Sequence, residues 1–184
     1  GFDIDGGYNY IYLNDSANTI TLTGAGFGVV DGTNFTNFYA VELRGGADIA
    51  TINTGGSLLG TLSGGDGTDT LNLNSGANAL SINSALIGTA AGTYISGFES
   101  INLADGNDAA EFIFNDISTQ AVAPRQSLTI DGGLGTDSIV LNLTPSEVAY
   151  LKAQGTFSAL KTFLANPTGL SRTVALSSID LTLT

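Results

Sequence analysis

Slid along itself until Ile11 lies on Leu71, the chain also lays Leu13, Ile20, Leu22, Phe38, Val41, Leu43 and Ala50 on Leu73, Leu80, Ile82, Phe98, Ile101, Leu103 and Ala110. Gly28, Gly32 and Gly46 fall on Gly88, Gly92 and Gly106 in the same register, and no gap is needed from Gly7 to Ala50. A register that keeps both the apolar and the glycine positions marks a structural repeat. Repeats of this size build solenoids, propellers or arrays. A third copy opens near Leu128 at a longer offset, the one that lays Asp69 on Asp137, and its end is expected to set Leu176, Ile179 and Leu181 where the second copy has Phe98, Ile101 and Leu103. The copies span about 5–63, 64–127 and 128–184, within a single domain of residues 1–184.

Inside each copy, apolar residues alternate with polar ones over short runs such as Thr19-Ile20-Thr21-Leu22, Leu71-Asn72-Leu73, Ile101-Asn102-Leu103 and Ser127-Leu128-Thr129-Ile130. Period two, bounded by Gly, Asn and Asp, predicts short strands. Three such groupings per copy give coils of about twenty residues, and stacking at about 4.8 Å would make about nine coils and a rod roughly 45 Å long. The fold class is therefore all-β, a right-handed parallel β-solenoid of β-helix or β-roll type. A β-sandwich also offers many short strands, but nothing in it requires a fixed long period with glycines in register.

Two acid-bearing glycine turns run straight into strands: Gly64-Gly65-Asp66-Gly67-Thr68-Asp69-Thr70-Leu71 and Gly132-Gly133-Leu134-Gly135-Thr136-Asp137-Ser138-Ile139. Both fit the pattern G-G-x-G-x-D-x-U-x, with Leu71 and Ile139 as the large inward residue. In these stretches the chain resembles the RTX, or haemolysin-type, calcium-binding repeat proteins of bacterial surfaces. The resemblance implies a parallel β-roll and Ca2+, and it implicates Asp66 and Asp69 in one turn and Asp137 in the other. Leu134 stands where the first turn has Asp66. Asp48 precedes Asp69 by the length of one coil, and Asp105 and Asp108 precede the Asp137 turn, with extra residues expected to loop out around Pro124. The expected metal ligands are Asp48, Asp66 and Asp69 in one group and Asp105, Asp108 and Asp137 in the other. The same residues also suit Asx-turns, in which the carboxylate serves local N–H groups with no ion bound.

Acids outnumber bases by 17 to 5, a net charge of −12, and thirteen of the acids are Asp. Such a field excludes nucleic acid as a partner, because phosphate binding needs clustered Lys and Arg. With no histidine and no cysteine, neither a serine triad nor a thiol enzyme can be assembled, and no disulfide stiffens the fold. A lyase on a β-helix would need basic residues in its groove, and few are present. The chain therefore reads as no enzyme. Tyr8, Tyr10 and Tyr12 form a stripe on alternate positions, an interface strand or a sugar-binding surface. No run of eighteen apolar residues spans a bilayer, so no membrane insertion is expected.

The third copy carries an insertion over 144–166. Thr144-Pro145-Ser146-Glu147 is a capping box with proline at the first helical position. Val148, Leu151 and the stem of Lys152 give that helix an apolar side, Gly155 ends it, and a second helical turn is expected from Ser158 to Ala165. The chain begins and stops within repeats, so it reads as a piece of something longer whose tail and head would stack as a next coil. The function expected is a non-catalytic, secreted, calcium-stabilised structural module of a bacterial surface, adhesive or extracellular-matrix fibre, self-associating end to end. The alternative is a carbohydrate-binding or secretion module on a secreted enzyme, with a surface glycan as partner.

Overall fold

The computed structural model describes residues 9–113, 127–164, 174–176 and 181–183. The first copy forms β1 (Tyr10–Tyr12), β2 (Thr19–Gly24), β3 (Phe27–Val30), β4 (Thr33–Phe35), β5 (Ala40–Glu42), β6 (Gly45–Gly46), β7 (Ile49–Ile52) and β8 (Thr61–Ser63). The second forms β9 (Asp66–Gly67), β10 (Thr70–Leu73), β11 (Ala79–Asn83), β12 (Ile87–Ala90), β13 (Thr93–Ser96), β14 (Ser100–Asn102) and β15 (Ala109–Ile113). The third forms β16 (Leu128–Asp131), β17 (Ser138–Asn142), α1 (Pro145–Ala153), α2 (Thr156–Leu164), β18 (Val174–Leu176) and β19 (Leu181–Leu183).

These strands wind into a parallel β-solenoid of about four turns. Sheet A has the order β1-β5-β8-β13-β12-β11-β15-β17, and sheet B has the order β18-β19-β16-β14-β10-β7-β2-β3-β4. Coil stacks on coil in parallel register: Ile11 beside Val41, Ala50 beside Leu71, Leu71 beside Ile101, and Ala110 beside Ile139. Alternate residues of each strand point inward, so Ile20, Leu22, Ile52, Leu62, Leu71, Leu80, Ile101 and Phe112 join one continuous core between the sheets. Fully burying each such side chain contributes about 1.5–3 kcal/mol.

Two expectations are corrected here. A coil has two main strands, one per sheet, and the stack has about four turns instead of about nine. The reason is that each of the first two copies spends strands on antiparallel excursions that add to a sheet without advancing the coil: β2-β3-β4 in sheet B and β11-β12-β13 in sheet A. Their tight turns, Asp31-Gly32 and Ala91-Gly92, have positive φ at both residues (45° and 78°, 47° and 79°), the two-residue hairpin geometry that matches strand twist. Where no hairpin intervenes the coil is short, running only from Val41 to its neighbour Leu62.

The repeat is kept pair by pair. Gly28 beside Phe35 becomes Gly88 beside Ile95, and Ile20 beside Ala50 becomes Leu80 beside Ala110. Because the first copy contributes an odd set of coil strands (β1, β2, β5, β7 and β8, alternating A, B, A, B, A), the second opens on sheet B with β10. Residues one repeat apart therefore hold equivalent environments on opposite sheets.

The end of the third copy corrects the remaining alignment. Leu183 sits beside Ile130 as Ile95 sits beside Leu62, and β18 lies antiparallel to β19 as β12 does to β13. Leu183 is thus the counterpart of Ile95, and the pairing of Leu176 and Leu181 with Phe98 and Leu103 fails; Ile179 lies outside the described residues. The helical insertion has moved this hairpin along the chain. Helix α1 opens on the expected capping box: Thr144 Oγ1 accepts from the Glu147 N–H, and the Thr144 N–H donates to Glu147 Oε2 at 2.6 Å. Leu151 is buried, Phe157 packs on the core, and Lys152 is exposed instead of covering the apolar side. Helix α2 begins two residues earlier than expected, at Thr156, and packs against β18, the last strand of sheet B. No helix among the described residues is long and apolar enough to cross a membrane.

Candidate functional site

The predicted acids lie at the corners where the chain passes from one sheet to the other. The glycine-rich turn makes this possible through two separate contacts. A Cβ on Gly64 would stand 2.7 Å from Asp69 Oδ2, so this glycine leaves room for the carboxylate. Gly67 has φ +140°, and a Cβ there would stand 1.7 Å from the carbonyl oxygen of Gly46, so the two corners stack backbone on backbone. Gly132 and Gly135 repeat both roles, against Asp137 Oδ2 and the Gly106 carbonyl. The following apolar residue, Leu71 or Ile139, then enters the core.

The corner acids form two columns. Before sheet B, the Asn18 N–H donates to Asp48 Oδ1 (2.6 Å), the Asp48 N–H to Asp69 Oδ1 (2.8 Å), and the Asp69 N–H to Glu99 Oε2 (2.8 Å). Before sheet A, the Asn78 N–H donates to Asp108 Oδ1 (2.7 Å) and the Asp108 N–H to Asp137 Oδ1 (3.0 Å). Each carboxylate caps a backbone N–H of the preceding coil, a donor that the corner would otherwise leave unpaired inside the protein. Asn18 and Asn78 head the columns, and their amides also close the loops before them: Asn78 Nδ2 donates to the carbonyls of Asn74, Gly76 and Leu103.

Of the six predicted ligands, Asp48, Asp69 and Asp108 are buried, while Asp66, Asp105 and Asp137 are exposed. Asp48 meets Asp69, as the expected coil length required, and Asp108 meets Asp137, as expected with extra residues looped out between them. Asp105 Oδ1 accepts the Leu134 N–H at 3.3 Å, and Asp66 stays at the rim, close enough to repel the Asp69 charge. Leu134, in the place of Asp66, is 72% exposed. Glu99, Asn18 and Asn78 were not singled out from the sequence. The signal was present, since Asn18 and Asp48, Asn78 and Asp108, and Asp69 and Glu99 all stand half a repeat apart.

One oxygen of each of five acids is buried with no hydrogen-bond partner: Asp48 Oδ2, Asp69 Oδ2, Asp108 Oδ2 and Glu99 Oε1 in the columns, and Glu147 Oε1 at the start of α1. Burial pushes the Asp69 carboxyl above its ordinary range; the Asp48 N–H opposes that shift, and the neighbouring charges of Asp48 and Asp66 add to it. Glu99 is raised as well, mainly by burial, against the pull of the Asp69 N–H and with repulsion from Asp69. Among the described residues no three acids converge as a metal-binding group. The donor set offers unpartnered carboxylate oxygens, the atom type a hard cation takes. It does not build a three-carboxylate cage. Comparison of the chain with protein-family models, curated proteins and solved structures gives no match.

Proposed function

We propose that the chain is a non-catalytic structural module, a calcium-stabilised solenoid segment of an extracellular protein at a bacterial surface or in its matrix. The observation that carries this reading is the pair of corner columns. The buried carboxylates of Asp48, Asp69 and Asp108 are spent on joining coil to coil, as expected of a load-transmitting rod, and none of the three is arranged as a base beside a nucleophile. Calcium enters as the counter-charge for the unpartnered oxygens of Asp48, Asp69 and Asp108, in a chain with net charge −12. A hard cation suits carboxylate oxygens and millimolar extracellular concentrations. The packing of α2 on β18 favours a module shielded at that end over one that polymerises through both ends.

The test is a thermal melt with and without a chelator. Calcium at about a hundredfold over its Kd adds about 2.7 kcal/mol per site, about 5–11 °C for a chain of this size. A melt indifferent to calcium would remove the cation from the reading. A second reading, glycan binding, has one observation in its favour. The exposed rings of Tyr10 and Tyr12 lie 6.0 Å apart and 14° from parallel, with the Arg44 guanidinium 5.6 Å above Tyr12. Binding on a glycan array that Tyr12→Ala abolishes would favour it.

A further inference from the structure

The coil strands of sheet B turn a nearly uncharged face to solvent, in a chain whose acids outnumber its bases by 17 to 5. Along the sequence the residues of that face are scattered, and the coil register collects them into two rows. One row runs Thr19, Ile49, Thr70, Ser100 and Thr129 across β2, β7, β10, β14 and β16. The other, two residues on along each strand, runs Thr21, Thr51, Asn72, Asn102 and Asp131. The residues that alternate with them, such as Ala50, Leu71 and Ile101, are buried, so both rows point outward. The hydroxyls of Thr21, Thr51, Thr70, Ser100 and Thr129 and the amide of Asn72 make no hydrogen bond among the described residues. Asp131, on the last of the five strands, is the one charge in either row. The outer face of sheet A is different: it carries exposed Tyr12, Ile87, Tyr94 and Val140, and the acids Glu42 and Glu111.

We propose that this face of sheet B binds the surface of ice. Equivalent atoms recur about every 4.8 Å from coil to coil and about every 6.6 Å along a strand. Water joined at the ordinary O–H···O distance into the tetrahedral lattice of ice recurs at about 4.5 Å between second neighbours and at about 7.3 Å along the lattice axis. Over five coils the first mismatch sums to about 1.2 Å, less than half a hydrogen-bond length. The rows thus hold unpaired hydroxyls near the spacing of lattice oxygens, and each hydroxyl both donates and accepts, as lattice water does. Strand pairing fixes this spacing before ice arrives, so little ordering cost falls on binding. Ice offers no charge to pair, which suits a face from which the acids are nearly absent. Ile49 interrupts the first row: it keeps the β-branched shape of threonine and lacks the hydroxyl. The geometry rests on strand register and on no bound ion, so it stands or falls apart from the calcium reading above.

The test is the growth of ice in the presence of the whole chain, read as thermal hysteresis by nanolitre osmometry and as inhibition of recrystallisation in a frozen film. Folded wild type is expected to hold back growth. Thr70→Tyr puts a ring on the middle of the face, and about tenfold more protein should then be needed for the same inhibition, the ratio that loss of about 1.4 kcal/mol gives. Thr61→Tyr, the same change at an exposed position on the outer face of sheet A, should leave inhibition unchanged. Ile49→Thr, which completes the first row, should increase inhibition severalfold. Circular dichroism checks that each variant folds, and Thr51→Lys, whose long side chain stays in water, takes the place of Thr70→Tyr should that one not fold. No inhibition by folded wild type overturns the proposal, as does an equal loss in Thr61→Tyr and Thr70→Tyr, or a fall in Ile49→Thr. Retention on insoluble cellulose without any effect on ice would overturn it too, by assigning the face to a polysaccharide.

Discussion

Asp69 separates the two roles assigned to the corner acids, because its two oxygens do different things. Oδ1 accepts the Asp48 N–H at 2.8 Å, and Oδ2 is buried without a partner. Asp69→Ala removes both. It strands a buried N–H at a cost of about 1–3 kcal/mol, which lowers Tm by about 2–12 °C in a chain of this length. Asp69→Asn keeps the accepting oxygen and exchanges the free one for an amide, the group that Asn18 and Asn78 already use at the heads of the columns. In chelator at neutral pH, Asp69→Asn is therefore expected to melt at or above the wild-type temperature, since it also removes a buried charge. In millimolar calcium the order should reverse, because only the wild type retains the free carboxylate oxygen. Thermal melts by circular dichroism of the three proteins in both buffers give the result. If Asp69→Asn falls as far as Asp69→Ala in chelator, the cap is not what the carboxylate supplies, and the columns do not hold the coils together in the way described.

Other consequences are checked by the same melts. The folded-state pKa values of Asp69 and Glu99 are raised, chiefly by burial. Their contribution is thus fully present below the ordinary carboxylate range and is lost as pH rises through the raised values. In chelator, Tm attributable to these groups should fall as pH rises above the ordinary carboxylate range, and Asp69→Asn should flatten the slope. Gly67→Ala combines φ +140° with a Cβ 1.7 Å from the Gly46 carbonyl, whereas Gly76→Ala has a similar φ of +143° and no contact nearer than 3.5 Å. Denaturant unfolding should show about 3 kcal/mol or more lost for Gly67→Ala and less for Gly76→Ala. Ala91 has φ +47°, and its counterpart Asp31 tolerates that region while its Oδ1 accepts the Thr19 N–H at 2.8 Å. Ala91→Asp should gain about 1 kcal/mol, about 2–4 °C in Tm; a loss would show that the two hairpin turns are not interchangeable.

The fold was legible because the solenoid keeps the same residues at the same places: Ile11, Leu71 and their neighbours read as core by spacing alone, and Thr144 to Glu147 announced a helix start. The two-strand coil was not legible. Runs such as Phe27–Val30 and Ile87–Ala90 show no clean alternation, and nothing in their residues says whether the next strand advances the coil or folds back beside it. The tight turns Asp31-Gly32 and Ala91-Gly92 held that information. At the corners the acids were found as turn residues; Asp48 was paired with Asp69 by coil length, and Asp108 with Asp137 by letting extra residues loop out around Pro124, which lies outside the described residues. What stayed hidden was the direction of their side chains, inward to a backbone N–H, because an Asx-turn and an intercoil cap use the same residue types. Glu99 was missed because its corner, Gly97-Phe98-Glu99, has a long acid where the other corners have Asp, and lacks the glycine pair that precedes Asp48, Asp69 and Asp137.

The half-turn between copies explains why there are two columns. Asn18, Asp48, Asp69 and Glu99 all precede strands of sheet B, whereas Asn78, Asp108 and Asp137 all precede strands of sheet A. A repeat with an even set of coil strands would return each corner to the same edge of the rod and pile every acid into one line of like charge. An odd set places the second copy's capping residues on the opposite edge. Burial raises Asp69 and the charge of Asp48 one coil away adds to the shift, so lengthening a single column would add repulsion with every coil, while two columns share it. The odd strand count thus distributes the buried acidic caps along two edges of the rod.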